Sequence, residues 1–370
     1  MFFTLSAALA LLAASPLAEA KCQRYVDAAL TAASALQSTY FSNGGYGSQQ
    51  PWIGAVDSFH LSELDSLAGV STYSDVINTV FTAWEGQLDN GNSYDDVQWV
   101  SIAYLRAGNL AQAKKYYDIA STAVSTDYCG GGLFWNGNHD YKNAITNELY
   151  ITTSGYMYDA TKDVQYLTNL QTTWTWLKTS QMMGSNGLFN DGLSRASDGT
   201  CSNNQGTQWT YNQGALLPGL AYLYKCLWTH SPENRTALSE PFHLDTGDES
   251  AITSAFAIMD SVIMSLTVDG GLREPCETTT ANFCNADQQT FKGIVVHYMS
   301  WFLSVSGRDN GSKYSGFIMA QADKVLQFAV GPPGFYSNLW YGANGGAATW
   351  TASSQASAVG ALVAAGQQNC

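Results

Sequence analysis

The chain has 370 residues and a formal net charge of −14, although only 12% of its residues are charged. An acidic balance with no basic stripe excludes a nucleic-acid partner. The 11 Trp and 21 Tyr mostly serve core packing, but their flat apolar faces with a polar handle also suit the C–H faces of sugars.

Residues 1–20 read as a secretory signal, an apolar run ahead of the small-x-small cleavage pattern Ala18-Glu19-Ala20. The run is shorter than the roughly 20 apolar residues of a membrane span. Beyond it, apolar residues recur at helical spacing over 22–40, 54–68, 74–88, 95–107, 109–126, 143–159, 163–182, 208–229, 248–267, 287–305, 310–330 and 352–365. Strand alternation is absent. Clusters such as Asn43-Gly44-Gly45, Asn90-Gly91-Asn92 and Gly130-Gly131-Gly132 punctuate the pattern.

About twelve helices in up-down order predict an all-α toroid of six hairpins, (α/α)6, in a single domain over residues 21–370. The same helices would fit an α-solenoid, but no repeat of fixed period is present. Residues 230–247 are polar and irregular and read as an inserted loop. Near the C-terminus the apolar run Ala358–Ala365 is too short for a lipid-anchor tail, and polar Gln367-Gln368-Asn369 follows it.

Seven cysteines fit an oxidising compartment. With no CxxC and few His, a zinc site is not expected. Cys276 and Cys284 flank a polar loop and are the expected disulfide, while Cys370 is the candidate for an unpaired thiol. Two sequons, at Asn234 and Asn310, agree with secretion.

The chemistry-bearing segment is Ser93-Tyr94-Asp95-Asp96-Val97-Gln98-Trp99. Like charges this close are costly unless dipole, solvent or function compensates. Hydrolysis of a sugar bond needs two carboxyl groups held close together. The spacing from Ser93 to Asp96 also fits a capping box, in which the pair would merely start a helix. Three glycines after Cys129 permit a sharp turn or close backbone approach, and Glu148 is either a third carboxylate or a buried tie between helices. Amide, hydroxyl and aromatic groups crowd Asn190-Asp191-Gly192 and the stretch Gln208–Gly214, a mixture suited to a polyol. Asp287-Gln288-Gln289-Thr290 opens a further helix with polar groups.

The ordered set of Asp95-Asp96 with Trp99, CGGGLFW at 129–135, DYKNAITNEL at 140–149, NDGL at 190–193, WTYNQGALLPGLAYLY at 209–224 and DQQTFKGI at 287–294 resembles glycoside hydrolase family 76. These are the α-1,6-mannanases and their fungal cell-wall relatives. The resemblance implies an (α/α)6 barrel, no metal or organic cofactor, and hydrolysis or transfer at α-1,6-mannosyl bonds with retained anomeric configuration. Carried onto this chain, Asp95 resembles the nucleophile, Asp96 the general acid/base and Asp191 a substrate-binding carboxylate. Trp135, Tyr141, Asn143, Tyr211 and Asn212 are the remaining candidate mannan-binding side chains. The expectation is a secreted, monomeric endo-α-1,6-mannanase without a membrane anchor. A wall transglycosidase and a non-catalytic mannan-binding protein are the rivals.

Overall fold

The computed structural model describes residues 16–47, 49–88, 92–228, 249–277, 284–342 and 348–368. Most of the signal segment, the sequon at Asn234, the loop 230–247 and Cys370 lie outside them.

The helical elements run α1 (Pro16–Tyr40), α2 (Pro51–Ala68), α3 (Ser74–Trp84), α4 (Tyr94–Arg106), α5 (Leu110–Ser121), α6 (Ala144–Thr161), α7 (Val164–Thr179), α8 (Thr210–Gly214), α9 (Leu217–Trp228), α10 (Glu249–Ser265), α11 (Phe291–Ser306), α12 (Lys313–Phe328) and α13 (Ala352–Gly366). With α8 and α9 taken as one broken helix, they match the twelve stretches of the periodicity. The boundaries differ most at α1, which starts six residues early at Pro16, and at α5, which ends five residues early at Ser121; at α11 the expected first turn, 287–290, is a separate turn before the helix.

Packing sorts the helices into two rings. α2 packs on α4, α4 on α6, α6 on α9, α9 on α11, α11 on α13, and α13 on α2, which closes the inner ring. Helices α1, α3, α5, α7, α10 and α12 pack outside it. This is the (α/α)6 toroid the sequence predicts, and the closure rules out a solenoid.

Inner helices must be buried all round, and their sequences show it. Every residue of α13 is buried, and so is the run Phe291–Phe302 of α11. Small residues let these two helices approach closely. A Cβ on Gly293 would lie 2.4 Å from the carbonyl oxygen of Ser357, so only glycine fits there.

Because inner and outer helices alternate, all inner helices point the same way. Their N-termini collect at one end of the barrel. The opposite end holds Arg106, in the last turn of α4, paired with buried Glu63. A cation there also meets the negative end of the helix dipole.

Three short antiparallel hairpins decorate the loops: β1 (Phe41–Ser42) with β2 (Gly45–Tyr46), β3 (Leu193–Arg195) with β4 (Cys201–Asn203), and β5 (Thr267–Val268) with β6 (Gly271–Leu272). Strands of two or three residues are too short to show alternation in sequence. Turn chemistry makes them. Asp269 and Gly270 both have positive φ, 51° and 76°, as the two-residue turn of a right-twisted hairpin requires.

Cys276 pairs with Cys284 as expected, and a second disulfide joins Cys129 to Cys201. No helix among the described residues is long and apolar enough to cross a membrane.

Candidate active site

A cleft of about 480 Å³ opens at the end of the barrel where the inner N-termini gather. Five of the six inner helices or their preceding loops line it: Gln50 and Trp52 at α2, Ser93, Asp95, Asp96 and Trp99 at α4, Trp135, Tyr141 and Asn143 before α6, Asp191 and Tyr211 around α8, and Asp287 and Phe291 at α11. Among the described residues, no Lys, Arg or His lines it.

Asp95 and Asp96 occupy the first turn of α4 behind extended Ser93. The capping box is absent. Ser93 makes no side-chain cap; its hydroxyl donates to Asp95 Oδ1 at 2.7 Å. The Ser93 hydroxyl, the amides at the helix start and the Trp135 indole all favour the charged form of Asp95. Burial nevertheless raises it to about 6. Asp96 is pushed well above the usual carboxylate range, first by burial, then by the charges of Asp95 and Asp287. The two adjacent carboxyls therefore hold unequal affinities for a proton. The negative neighbours add to burial at Asp96 and favour its protonated form, which is the direction that acid-plus-nucleophile chemistry needs.

Asp191 reaches this cleft through the loops. Ala144 donates to the Asp191 carbonyl at 2.8 Å and Leu193 to the Lys142 carbonyl at 3.0 Å, so segments 142–144 and 191–193 run side by side. Tyr141 donates its hydroxyl to Asp191 Oδ2 at 2.6 Å, and Asn204 donates to the same hydroxyl at 2.9 Å. Trp135 stands 38% exposed at the lip, edge-on to Tyr141. Asn143 caps α6 by accepting from the Thr146 amide at 3.3 Å while still facing the cleft.

Tyr211 stacks on Phe291, with ring centroids 3.8 Å apart and planes 4° from parallel. Burial and the surrounding carboxylates push its phenol well up, so it stays a neutral donor. Beneath this aromatic wall, Glu274 accepts from both the amide and the hydroxyl of Thr210 and fixes the start of α8.

Two expectations are corrected. Asn212 is not in the cleft; it is fully buried and faces the interior. Adjacent helix residues diverge by about 100°, and at α8 that rotation turns Asn212 inward while Tyr211 faces the cleft. In the glycine run the close backbone approach is to Trp176 rather than to a ligand: a Cβ on Gly131 would sit 2.6 Å and one on Gly132 2.3 Å from its ring, while Gly130 faces open space. Glu148 lies outside the cleft lining, fully buried with both oxygens unpartnered, and burial pushes its carboxyl well up.

The sequence reading did not assign Gln50, Trp52, Asp287 or Phe291 to the site. Pro51 at the first helical position signalled the start of α2 and hence the place of Trp52. Asp287 and Phe291 lay inside a motif already marked as a polar helix start.

The profile of Glycosyl hydrolase family 76 matches residues 65–365, and the chain belongs to this family. Among curated proteins, mannan endo-1,6-alpha-mannosidase DCW1 of Saccharomyces cerevisiae is 30% identical over 207 residues, 54% of this chain and 39% of that protein. The matched segment thus spans about two-fifths of the relative's length. Among solved structures, the GH76A α-1,6-mannanase of Salegentibacter sp. HEL1_6 has a TM-score of 0.75 at 20% identity, covering 92% of this chain and 99% of that one. That structure is an inactive variant, with two consecutive aspartates replaced by asparagine, in complex with α-1,6-mannotriose. Dfg5 from Chaetomium thermophilum, in complex with glucosamine, has a TM-score of 0.73 at 18% identity, covering 93% and 90% of the two chains.

Proposed function

We propose that this chain is a secreted, retaining glycoside hydrolase that cleaves α-1,6-mannosidic bonds within mannan, with residues 21–370 acting as one catalytic unit. The observation that carries the reading is the adjacent pair Asp95 and Asp96, at one helix start, with unequal proton affinities in a cleft of aromatic and carboxylate groups. The names of its relatives, mannan endo-1,6-alpha-mannosidases and an α-1,6-mannanase, supply the linkage.

In this mechanism ionised Asp95 attacks the anomeric carbon as the bond to the leaving oxygen breaks. Asp96 delivers its proton to that oxygen. A mannosyl ester on Asp95 remains. Water then attacks the same carbon, gives a proton to Asp96 and releases Asp95, so two inversions retain the configuration. Trp135 and Ser93 hold Asp95 in line. Tyr141, Asp191 and Tyr211 offer donors and acceptors to sugar hydroxyls.

Mass spectrometry of products from linear α-1,6-mannan tests this. Shorter chains are expected; longer chains would mean transfer to an acceptor sugar, and unchanged mannan a binding protein. Asp96→Asn should lose on the order of 10²–10⁴ in rate, and Asp95→Asn should be nearly inactive. Azide should restore turnover of an activated mannoside with retained configuration in Asp96→Gly and inverted configuration in Asp95→Gly. Near-normal activity in folded Asp95→Asn would sink the mechanism.

A further inference from the structure

We infer that Trp350 is the platform of a distal sugar-binding subsite: mannan that runs out of the cleft past the start of α13 lays a mannosyl ring on its indole. The inference rests on the function proposed above and extends the substrate site beyond the cleft.

Five inner helix starts line the cleft, and the sixth, α13, contributes no described residue to it. Trp350 stands just before that start and is 46% exposed. Outer helices run opposite to inner ones, so the connection from the end of α12 to α13 lies at the cleft end of the barrel. Hydrogen bonds join it to the cleft on two sides. The Thr351 hydroxyl donates to Gln289 Oε1 at 2.5 Å, and Gln289 belongs to the turn that presents Asp287. The Gln49 amide bonds the Ser353 hydroxyl at 3.2 Å, and the next residue, Gln50, lines the cleft without capping α2.

The indole sits on a fixed support. A Cβ on Gly331 would lie 2.4 Å from Trp350 Nε1 and 3.0 Å from its Cδ1, so the ring packs directly on the Gly331 backbone and only glycine leaves room for it. Gly331 opens a turn stiffened by Pro332 and Pro333. Its amide donates to the Phe335 carbonyl at 2.9 Å, and the Phe335 amide donates to the Pro332 carbonyl at 2.9 Å. The backbone beside Trp350 is pinned as well. Thr349 donates its amide and its hydroxyl to Asn338 Oδ1, both at 2.9 Å, and Thr351 and Ser354 form the capping box of α13.

Single exposed apolar side chains are common on protein surfaces. The locked support and the place beside the cleft set this one apart. A flat indole with one polar edge suits the C–H face of a pyranose, and a side chain already ordered loses little entropy on binding. A chain anchored over Asp95 and Asp96 meets the platform as a second, linked contact, so modest stacking adds to affinity.

The experiment is steady-state kinetics on α-1,6-manno-oligosaccharides of increasing length and on linear α-1,6-mannan. Trp350→Ala, Trp350→Phe and Gly331→Ala are compared with the parent, with thermal melting as the check on folding. In the parent, KM should fall with length until the chain reaches the platform. Trp350→Ala should raise KM on mannan roughly 3- to 10-fold, the fold-change of a lost stacking contact, with kcat unchanged. On the shortest substrates it should match the parent. Trp350→Phe should recover part of the loss. Gly331→Ala should reproduce the loss with Trp350 present, because the added methyl displaces the indole.

A merely structural role would lower activity on short and long substrates alike, and that result would overturn the inference. So would a parental KM on mannan in Trp350→Ala. A parent that dimerises in sedimentation while Trp350→Ala stays monomeric would give this face to a second copy and overturn it too. If the parent cleaves mannan and Trp350→Ala keeps the parental dependence on length, only this inference fails. If the parent cleaves none of these substrates, the proposed function fails and this inference falls with it.

Discussion

Asp95 and Asp96 hold opposing forces at one helix start. The positive end of the α4 dipole and the local amides favour the charged forms, and burial opposes them. Burial wins at both carboxyls. A consequence for stability follows from linkage. An unfolded chain releases an Asp proton at about pH 3.9, whereas native Asp95 releases it at about 6. Between those values the native state binds more protons, so this carboxyl lowers stability as pH rises through the window. Asp96, raised in the same direction by burial and by Asp95, adds to the loss. Asp95→Asn and Asp96→Asn should therefore raise the melting temperature by a few degrees at pH 7 and change it little at pH 4, while abolishing or crippling activity. Calorimetry of each variant at both pH values checks this; a lower melting point at pH 7 would show that the native site favours the ionised forms. Activity should carry the same signature, with an acid limb near the Asp95 value.

The catalytic cleft depends on loops as much as on helices, and the 129–135 loop shows how. Gly132 has φ 78° and lies flat against Trp176, whose indole donates to the Cys129 carbonyl at 2.7 Å. Lys142 reaches into the same loop and donates to the carbonyls of Ser125, Tyr128 and Gly131 at 2.6–2.8 Å. The Cys129–Cys201 disulfide ties it to β4. This scaffold places Trp135 beside Asp95. Gly132→Ala adds a left-handed strain and a ring overlap, together about 2–4 kcal/mol, and should lower activity by displacing Trp135. Gly130→Ala is the contrast. Its φ is also positive, at 70°, but open space surrounds it, so about 1 kcal/mol is expected with activity retained. Denaturant melts and kinetics on the two variants separate the effects; equal losses would mean that contact with Trp176 does not matter.

At the scale of the whole molecule, ring closure brings five of the six inner helix starts into one acidic mouth. Asp95, Asp96, Asp191 and Asp287 share it with no cation among the described residues, on a chain of net charge −14. Inner helix dipoles offset part of that field near the amides. A neutral mannan fits such a mouth, and a phosphate-bearing mannan meets repulsion. KM for phosphorylated mannan should exceed that for neutral mannan at low salt. The gap should narrow as ionic strength rises, since the screening length falls to roughly 8 Å at physiological salt. Equal KM values at low salt would show that the mouth's charge is not felt by the substrate.

The helices and their order were legible because each inner helix carries its own burial pattern, and a 3.6-residue period is a local property of the chain. The aspartate pair was legible for the same reason: adjacent carboxylates at a helix start are a contiguous signal. Contiguity also misled. Asn212 stood in the same motif as Tyr211, but the helical rotation turns it into the interior. The glycine run was open to a sharp turn or a close approach, and it is Gly131 and Gly132 packing on Trp176, a residue far along the chain, that decides it. Other features have no local signal at all. Cys129 and Cys201 are 72 residues apart, Trp52 meets Trp99 across two helices, and Asp287 reaches the Asp95–Asp96 pair from the loop before α11. The sequence by itself determined which segments are helical, their alternation and the residues able to do the chemistry, since propensity and periodicity act within a few turns. Only the tertiary structure decided which side chains share the cleft and how strongly each carboxyl holds its proton, because both depend on the distances and burial set when α13 closes the ring against α2.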